Sequence, residues 1–251
     1  MLKNFKVIQV LLFAFMLLII KGCSQQESLV VYSGKGLKHA VEEVVKRYEQ
    51  KHGVNVSVIY AGSNTLLNTL KKSNKGDIFI PGSKHYIKKA NKYIARSQFI
   101  ALHIPAFAIR KDNDKNINNY SDLLAPGIKI AIGDKKIAAI GKVAETILSN
   151  SEQQDSFRHN LAVKGSTVNE LLQFVINGHV DTALIWADMI TWNNATELKL
   201  ITIPKHLIKP KEIWAAQLSI SKMPKQSSDF VDFINSEGKS IFKKHGFDIN
   251  H

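Results

Sequence analysis

The chain has 251 residues, 45% of them hydrophobic and 22% charged, with a formal net charge of +13. That length allows one large domain or two modest ones, and the composition is that of a globular protein rather than a disordered one. The single cysteine excludes an internal disulfide, and no repeat, low-complexity stretch or coiled-coil heptad organises the sequence.

Residues 1–22 stand apart. Lys3 and Lys6 precede eleven unbroken apolar residues, Val10 to Ile20, and Gly22-Cys23 closes the run. A membrane span takes about 20 apolar residues, so this shorter run reads as an export signal. Cys23 at its end resembles a bacterial lipoprotein cleavage box and is expected to carry the lipid, with residues 23–28 as the tether. The signal holds three lysines and no acid, which leaves +10 for the rest of the chain. Its lysines are scattered, with small clusters at Lys71-Lys72, Lys88-Lys89 and Lys243-Lys244 and no aromatic-interleaved basic stripe. For an exported chain this excludes a nucleic-acid partner and points to a basic surface that faces anionic lipid and attracts anions.

In chain order, Leu29 to Tyr32 reads as a strand, Ser33 to Gly36 as a tight turn, and the following stretch to His52 as a helix stopped by Gly53. Val54, Val56 and Val58 alternate as a strand; Ala61 to Asn64 leads into a helix carrying Leu66, Leu67 and Leu70. Gly76 to Pro81 is a third strand, and a helix follows near Lys84 to Asn91. This strand–helix alternation predicts a parallel sheet with helices on its faces. His103 to Arg110 reads as a strand, and a polar stretch to Asn119 ends the first unit. A second unit follows: a short helix from Ser121, a strand at Ile128 to Ile132, a glycine-bounded turn to Gly141, a helix through Leu148, a helical stretch near Phe157 and a strand at Leu161 to Lys164.

The stretch from Gly165 to Trp186 is the best-marked in the sequence. Thr167 and Glu170 make a capping box, Val168, Leu171, Leu172 and Val175 give an apolar helix face, Gly178 stops it, and Val180 to Trp186 is a buried strand. Lys211 to Ile220 then reads as a strand, with two final helices at Ser228 to Ser236 and Gly238 to His245.

No Gly-x-Ser-x-Gly, His-Glu-x-x-His or P-loop motif is present, and nine histidines are dispersed without ligand spacing. No catalytic residue, metal site or cofactor is therefore expected. What recurs is a strand, a small-residue turn and a helix N-terminus, at Ser33–Gly36, Ala61–Asn64, Ala138–Gly141 and Ser166–Val168. In an open α/β sheet such turns gather at the carboxyl ends of the strands. Their N–H groups and helix dipoles would hold a dehydrated anion. Taken singly, each turn is better read as an ordinary helix cap; the four together favour a site.

Tyr60-Ala-Gly-Ser-Asn-Thr-Leu66, Gly76-Asp-Ile-Phe-Ile80, Lys129-Ile-Ala-Ile-Gly-Asp134 with Gly141-Lys-Val-Ala144, Thr167-Val-Asn-Glu170 with Asp181-Thr-Ala-Leu-Ile-Trp186, and Phe242-Lys-Lys-His-Gly-Phe247 carry a resemblance. In this order and spacing the mature chain resembles the molybdate-binding proteins of bacterial ABC importers. The resemblance implies an α/β type II periplasmic-binding-protein fold: two lobes joined by a two-stranded hinge near 104–110 and 201–206, with a cleft between. Lobe 1 would be residues 29–106 plus 204–251, and lobe 2 residues 107–203. It further implies an oxyanion held by two serine hydroxyls, two backbone amides and a tyrosine hydroxyl. Ser63 matches the second serine, and the turn at Ile140 and the helix start at Val168 match the amides. Gly36 stands at the first serine's place and Trp186 at the tyrosine's.

The ligand set expected is thus Ser33, Gly34, Lys35, Gly36, Ser63, Asn64, Ile140, Thr167, Val168 and Trp186. The ligand expected is molybdate or tungstate, passed to an ABC permease by a monomeric, lipid-anchored protein outside the cytoplasm that performs no chemistry on it. Sulfate, phosphate or a small organic anion is the alternative. Glycine at 36 leaves room for the organic anion, and protonated phosphate would need an acceptor such as Asp77 or Asp188 in the cleft.

Overall fold

The computed structural model describes residues 27–250. The expected signal, Cys23 and most of the tether lie outside them. In chain order the first elements are β1 (Ser28–Gly34), α1 (Lys38–His52), β2 (Asn55–Ala61), α2 (Ser63–Ser73), β3 (Ile78–Ile80), α3 (Lys84–Lys89) and β4 (Ile94–His103). Next come β5 (Pro105–Arg110), β6 (Ile130–Gly133), α4 (Ala139–Asn150), α5 (Gln154–His159), β7 (Leu161–Gly165), α6 (Val168–Ile176), β8 (Thr182–Trp186) and β9 (Leu198–Thr202). The chain closes with β10 (Lys211–Leu218), α7 (Pro224–Asn235) and α8 (Glu237–Lys244). Among the described residues no helix is long and apolar enough to cross a membrane.

The strands form two five-stranded sheets, in the orders β2-β1-β3-β10-β4 and β7-β6-β8-β5-β9. In the first, β1 lies parallel to β2 and β3, whereas β10 is antiparallel to β3 and β4. In the second, β6 is parallel to β7 and β8, whereas β5 is antiparallel to β8 and β9. The sheets are therefore mixed rather than parallel throughout, because one strand in each, the one that follows a crossover (β10 in the first sheet, β5 in the second), runs back against the rest. The chain passes between the sheets at Ile104 and again through 203–210.

Periodicity explains the local structure. α1 buries Ala40, Val41, Val44, Val45 and Tyr48 on one face and stops at Gly53, whose φ of 65° suits a glycine at a helix end. That face joins Leu29, Val31, Phe230 and Phe242 in one core of the first lobe. On the other side of the sheet, Leu66 and Leu70 of α2 pack on Phe79 and Tyr86. Phe107, Ile130, Phe157, Leu171 and Leu184 centre the core of the second lobe. Each fully buried side chain of this size contributes about 1.5–3 kcal/mol.

One expected strand divides, and one strand was not expected. His103 to Arg110 is not one strand: β4 ends at His103 and β5 begins at Pro105, and the two belong to different sheets. Ile104 between them gives its carbonyl to the Ala187 amide. β4 itself, ten residues from Ile94, is a strand that the sequence pattern does not reveal. Its Arg96 and Gln98 look like loop residues but pair with Asp232 on α7.

Candidate anion site between the lobes

The four strand–turn–helix junctions meet. Gly34 to Leu37, Gly62-Ser63, Ile137 to Ile140 and Ser166 to Val168 line one cavity of about 90 Å³, with Gly82, His103 and Trp186 completing the wall. Close backbone approaches set its shape. A Cβ at Gly34 would lie 3.0 Å from the Gly82 nitrogen. At Gly141 a Cβ would lie 2.5 Å from the carbonyl oxygens of Gly133 and Asp134, so only glycine lets α4 start this close to the end of β6.

The first N–H groups of a helix have no intrahelical partner. Ile140 and Val168 occupy the first turns of α4 and α6, with such groups at the cavity wall. Thr167 caps α6, its Oγ1 accepting from the Glu170 amide at 3.2 Å. The return bond of this capping box falls one residue early: Glu170 Oε2 accepts from the Ser166 amide at 2.6 Å. Ser63, at the start of α2, is buried, and its Oγ accepts from the Gly82 amide at 3.0 Å. The acceptor side of the hydroxyl is thereby used, and its proton is free to donate.

Of the expected ligand residues, Gly34, Lys35, Gly36, Ser63, Ile140, Thr167, Val168 and Trp186 all line the cavity. Lys35 is exposed at its edge. Two do not line it. Asn64 is exposed on the first turn of α2, and Ser33 is fully buried at the end of β1 with no partner for its Oγ among the described residues. Asp77 stays out of the cleft: its oxygens accept from the Val30 and Lys222 amides and the Ser221 hydroxyl.

Gly82 and His103 are site residues that sequence reasoning missed. His103 stacks on Trp186 with ring centroids 3.7 Å apart and planes 17° apart. Behind it, Asp188 Oδ1 stands 3.2 Å from His103 Nε2, and both residues are 2% exposed. A Cβ at Gly36 would lie 3.6 Å from His103 Cε1 and 3.7 Å from Trp186 Cδ1. The room left by glycine at 36 is thus bounded by these two rings. The resulting cavity is far below the roughly 300–1,000 Å³ of a drug-sized ligand pocket.

A larger space of about 420 Å³ adjoins it, sharing Gly82, Ala139 and Trp186, and is lined by Lys84, Lys88, Lys142 and Lys211. Burial, then the nearby lysines Lys89, Lys142, Lys211 and Lys88, push the His85 pKa below its ordinary value, so the positive charge here belongs to the lysines. Lys84 pairs with Glu212 at 2.9 Å and sits 4.2 Å over the Trp214 ring. The whole arrangement offers donors and positive charge to an anion.

Comparison with known proteins bears on the family and the fold. The family described as "Bacterial extracellular solute-binding protein" matches residues 29–248. A Haemophilus influenzae protein named "Putative binding protein" is 34% identical over 226 residues, covering 89% of this chain and 91% of its own. The molybdate-binding protein ModA of Mycobacterium bovis is 23% identical over 230 residues, covering 88% and 84%. Among solved structures, the periplasmic molybdate-binding protein of Azotobacter vinelandii superposes with a TM-score of 0.75 at 14% identity, covering 89% of this chain and all of its own. PEB3 with L-phospholactate bound does so with a TM-score of 0.74 at 19% identity and the same coverage. Two mixed α/β lobes around a cleft are the architecture of these periplasmic binding proteins, as the sequence resemblance implied. This chain is a member of the bacterial extracellular solute-binding protein family.

Proposed function

We propose that the protein is an exported, lipid-anchored binding protein that captures a fully ionised tetrahedral oxyanion, molybdate or tungstate first, and delivers it to an ABC permease. One observation carries this reading: four helix-start turns, two from each lobe, converge on one small cavity. The Ser63 hydroxyl, the amides near Gly36, Ile140 and Val168, and the Trp186 indole are the donors, and closing the lobes would complete the shell. A dianion suits a site made of donors, since a bare oxyanion only accepts. ModA relatives named as molybdate-binding support the ligand class. Cys23 would hold the protein, as a monomer, at the outer membrane face beside its permease.

Binding without chemistry is part of the proposal. Ser63, His103 and Asp188 form a series that resembles a hydrolytic triad, but neither ring nitrogen of His103 has a hydrogen-bond partner among the described residues, so Ser63 Oγ is not bonded to the imidazole. An activated nucleophile needs its base within hydrogen-bond reach.

A second reading has its own support. The lysine-lined space next to the cavity could take the body of a small phosphorylated acid, with its phosphate in the inner cavity. PEB3 with L-phospholactate has the same fold.

A thermal-shift panel with molybdate, tungstate, sulfate, phosphate and a phosphorylated organic acid decides between them. Ligand at about a thousand times its dissociation constant adds roughly 4 kcal/mol, which is about 8–16 °C for a domain of this size. A shift with molybdate and tungstate alone supports the first reading; one with the phosphorylated acid alone replaces it by the second.

A further inference from the structure

We propose that the lysine-lined space beside the small cavity is a second, outer anion site, where Lys88, Lys142 and Lys211 gather a hydrated divalent oxyanion before it enters the inner cavity. This rests on the reading of the small cavity as the anion site and adds how the anion reaches it.

The three lysines come from both sides of the cleft. Lys88 lies on α3 and Lys211 opens β10 of the first sheet, whereas Lys142 lies in the first turn of α4, which follows β6 of the second. Lys88 and Lys142 are exposed and Lys211 is half-buried. α3 is pinned by Tyr86 and Ile87, both buried in the core on that side of the first sheet.

The charge there is not balanced by the protein. Four lysines and one carboxylate, Glu212, line the space. That carboxylate is already engaged: its Oε2 accepts from Lys84 Nζ at 2.9 Å and from the Trp214 indole at 2.7 Å. Lys88, Lys142 and Lys211 make no ion pair among the described residues. His85, which also lines the space, feels the resulting field: burial first, then Lys89, Lys142, Lys211 and Lys88, push its pKa below the ordinary value. Like charges facing one space repel, and a divalent anion between them relieves the repulsion.

The two spaces differ in the kind of donor they offer. The inner cavity has neutral donors, the Ser63 hydroxyl and the first-turn amides of α4 and α6, and an anion must shed water to use them. An ammonium group is a compact, strongly hydrated point charge on a flexible stem. It attracts an anion from a distance, and attraction of this kind raises association rates about tenfold or more until salt screens it. Gly82, Ala139 and Trp186 belong to both walls, so the two sites adjoin.

The test is stopped-flow binding of molybdate and sulfate to the purified protein, read by tryptophan fluorescence because Trp186 lines both spaces. It is run at about 0.01 M and about 0.15 M ionic strength, where charges are felt over about 30 Å and about 8 Å. Association should be about tenfold faster at the lower ionic strength, with dissociation changed less than about twofold. The triple variant Lys88→Gln/Lys142→Gln/Lys211→Gln should associate about 5–10-fold more slowly there, lose most of the salt dependence and dissociate as the wild type does. Lys71→Gln/Lys72→Gln/Lys75→Gln removes the same charge from exposed positions outside the space and should change little. Equal slowing by the two triple variants, or a loss confined to dissociation, would overturn the proposal. Ser63→Ala tests the inner site separately and should speed dissociation while leaving association unchanged. If it does so and association ignores salt, the proposal alone fails; if Ser63→Ala dissociates as the wild type does, or neither anion binds, the inner-cavity reading fails and takes the proposal with it.

Discussion

The Gly82 amide donates to Ser63 Oγ at 3.0 Å, across the gap between the turn after β3 and the first turn of α2. This bond is accepted by the hydroxyl oxygen and leaves its proton free to donate. Ser63→Ala should weaken oxyanion binding about 10–100-fold, since a hydrogen bond to a charged group is worth about 1.5–3 kcal/mol. Unfolding stability should fall by about 1 kcal/mol, because the Gly82 N–H loses its partner. Calorimetry and urea unfolding measure the two separately; lost stability with unchanged affinity would make Ser63 a purely structural residue.

Gly36 is where the rings of His103 and Trp186 leave space for a methylene. A Cβ there meets them at 3.6 and 3.7 Å, ordinary van der Waals contact. Gly36→Ser should therefore fold with a stability within about 0.5 kcal/mol of the wild type. It should bind molybdate more tightly, by up to about tenfold, through the added hydroxyl donor. Weaker binding with intact stability would show that the Gly36 backbone, not its missing side chain, is what the ligand needs.

Gly141 has no such latitude. Its Cβ would lie 2.5 Å from two backbone carbonyl oxygens at the end of β6. Gly141→Ala must push α4 outward, at a cost of about 1–3 kcal/mol. The same displacement moves the Ile140 amide, so thermal melting and anion affinity should fall together. A melt unchanged by this substitution would mean that the junction is softer than its packing implies.

Away from the cleft, Glu43 ties α1 to the end of the chain. Lys244 donates to both its oxygens at 2.9 and 3.0 Å, His245 lies 2.9 Å away and Arg47 donates at 2.9 Å. Lys244 above all, with His245 and Arg47 adding to it, lowers the Glu43 pKa from 4.5 to about 2 against the opposing effect of burial. A depressed carboxylate pKa gives stability that is present above pH 4.5 and is lost as pH falls towards 2. After allowance for solvent screening this is about 1–2 kcal/mol. Glu43→Gln should be less stable by that amount at pH 7, and the gap should close between pH 4.5 and 2 in urea unfolding. A gap that persists at the acid end would assign it to packing rather than to charge.

Local chemistry wrote much of this protein legibly. The apolar faces of α1 and α6, the stop at Gly53 and the Thr167–Glu170 cap depend on residues within a few positions of one another, and the sequence alone determines them. The same holds for the recurring strand, turn and helix start, which named the inner turns of the site before their meeting could be seen. β4 was hidden because its polar residues are satisfied by α7, a helix more than a hundred residues later. What only the tertiary structure decided is the company those turns keep. Gly82, His103 and Asp188 carry no local signature, and they reach Ser63 and Trp186 because two sheets end at one cleft. Sequence spacing fixes which groups one helix turn presents; the order of strands in two separate sheets fixes which of them face one another, and that order is set by long-range burial.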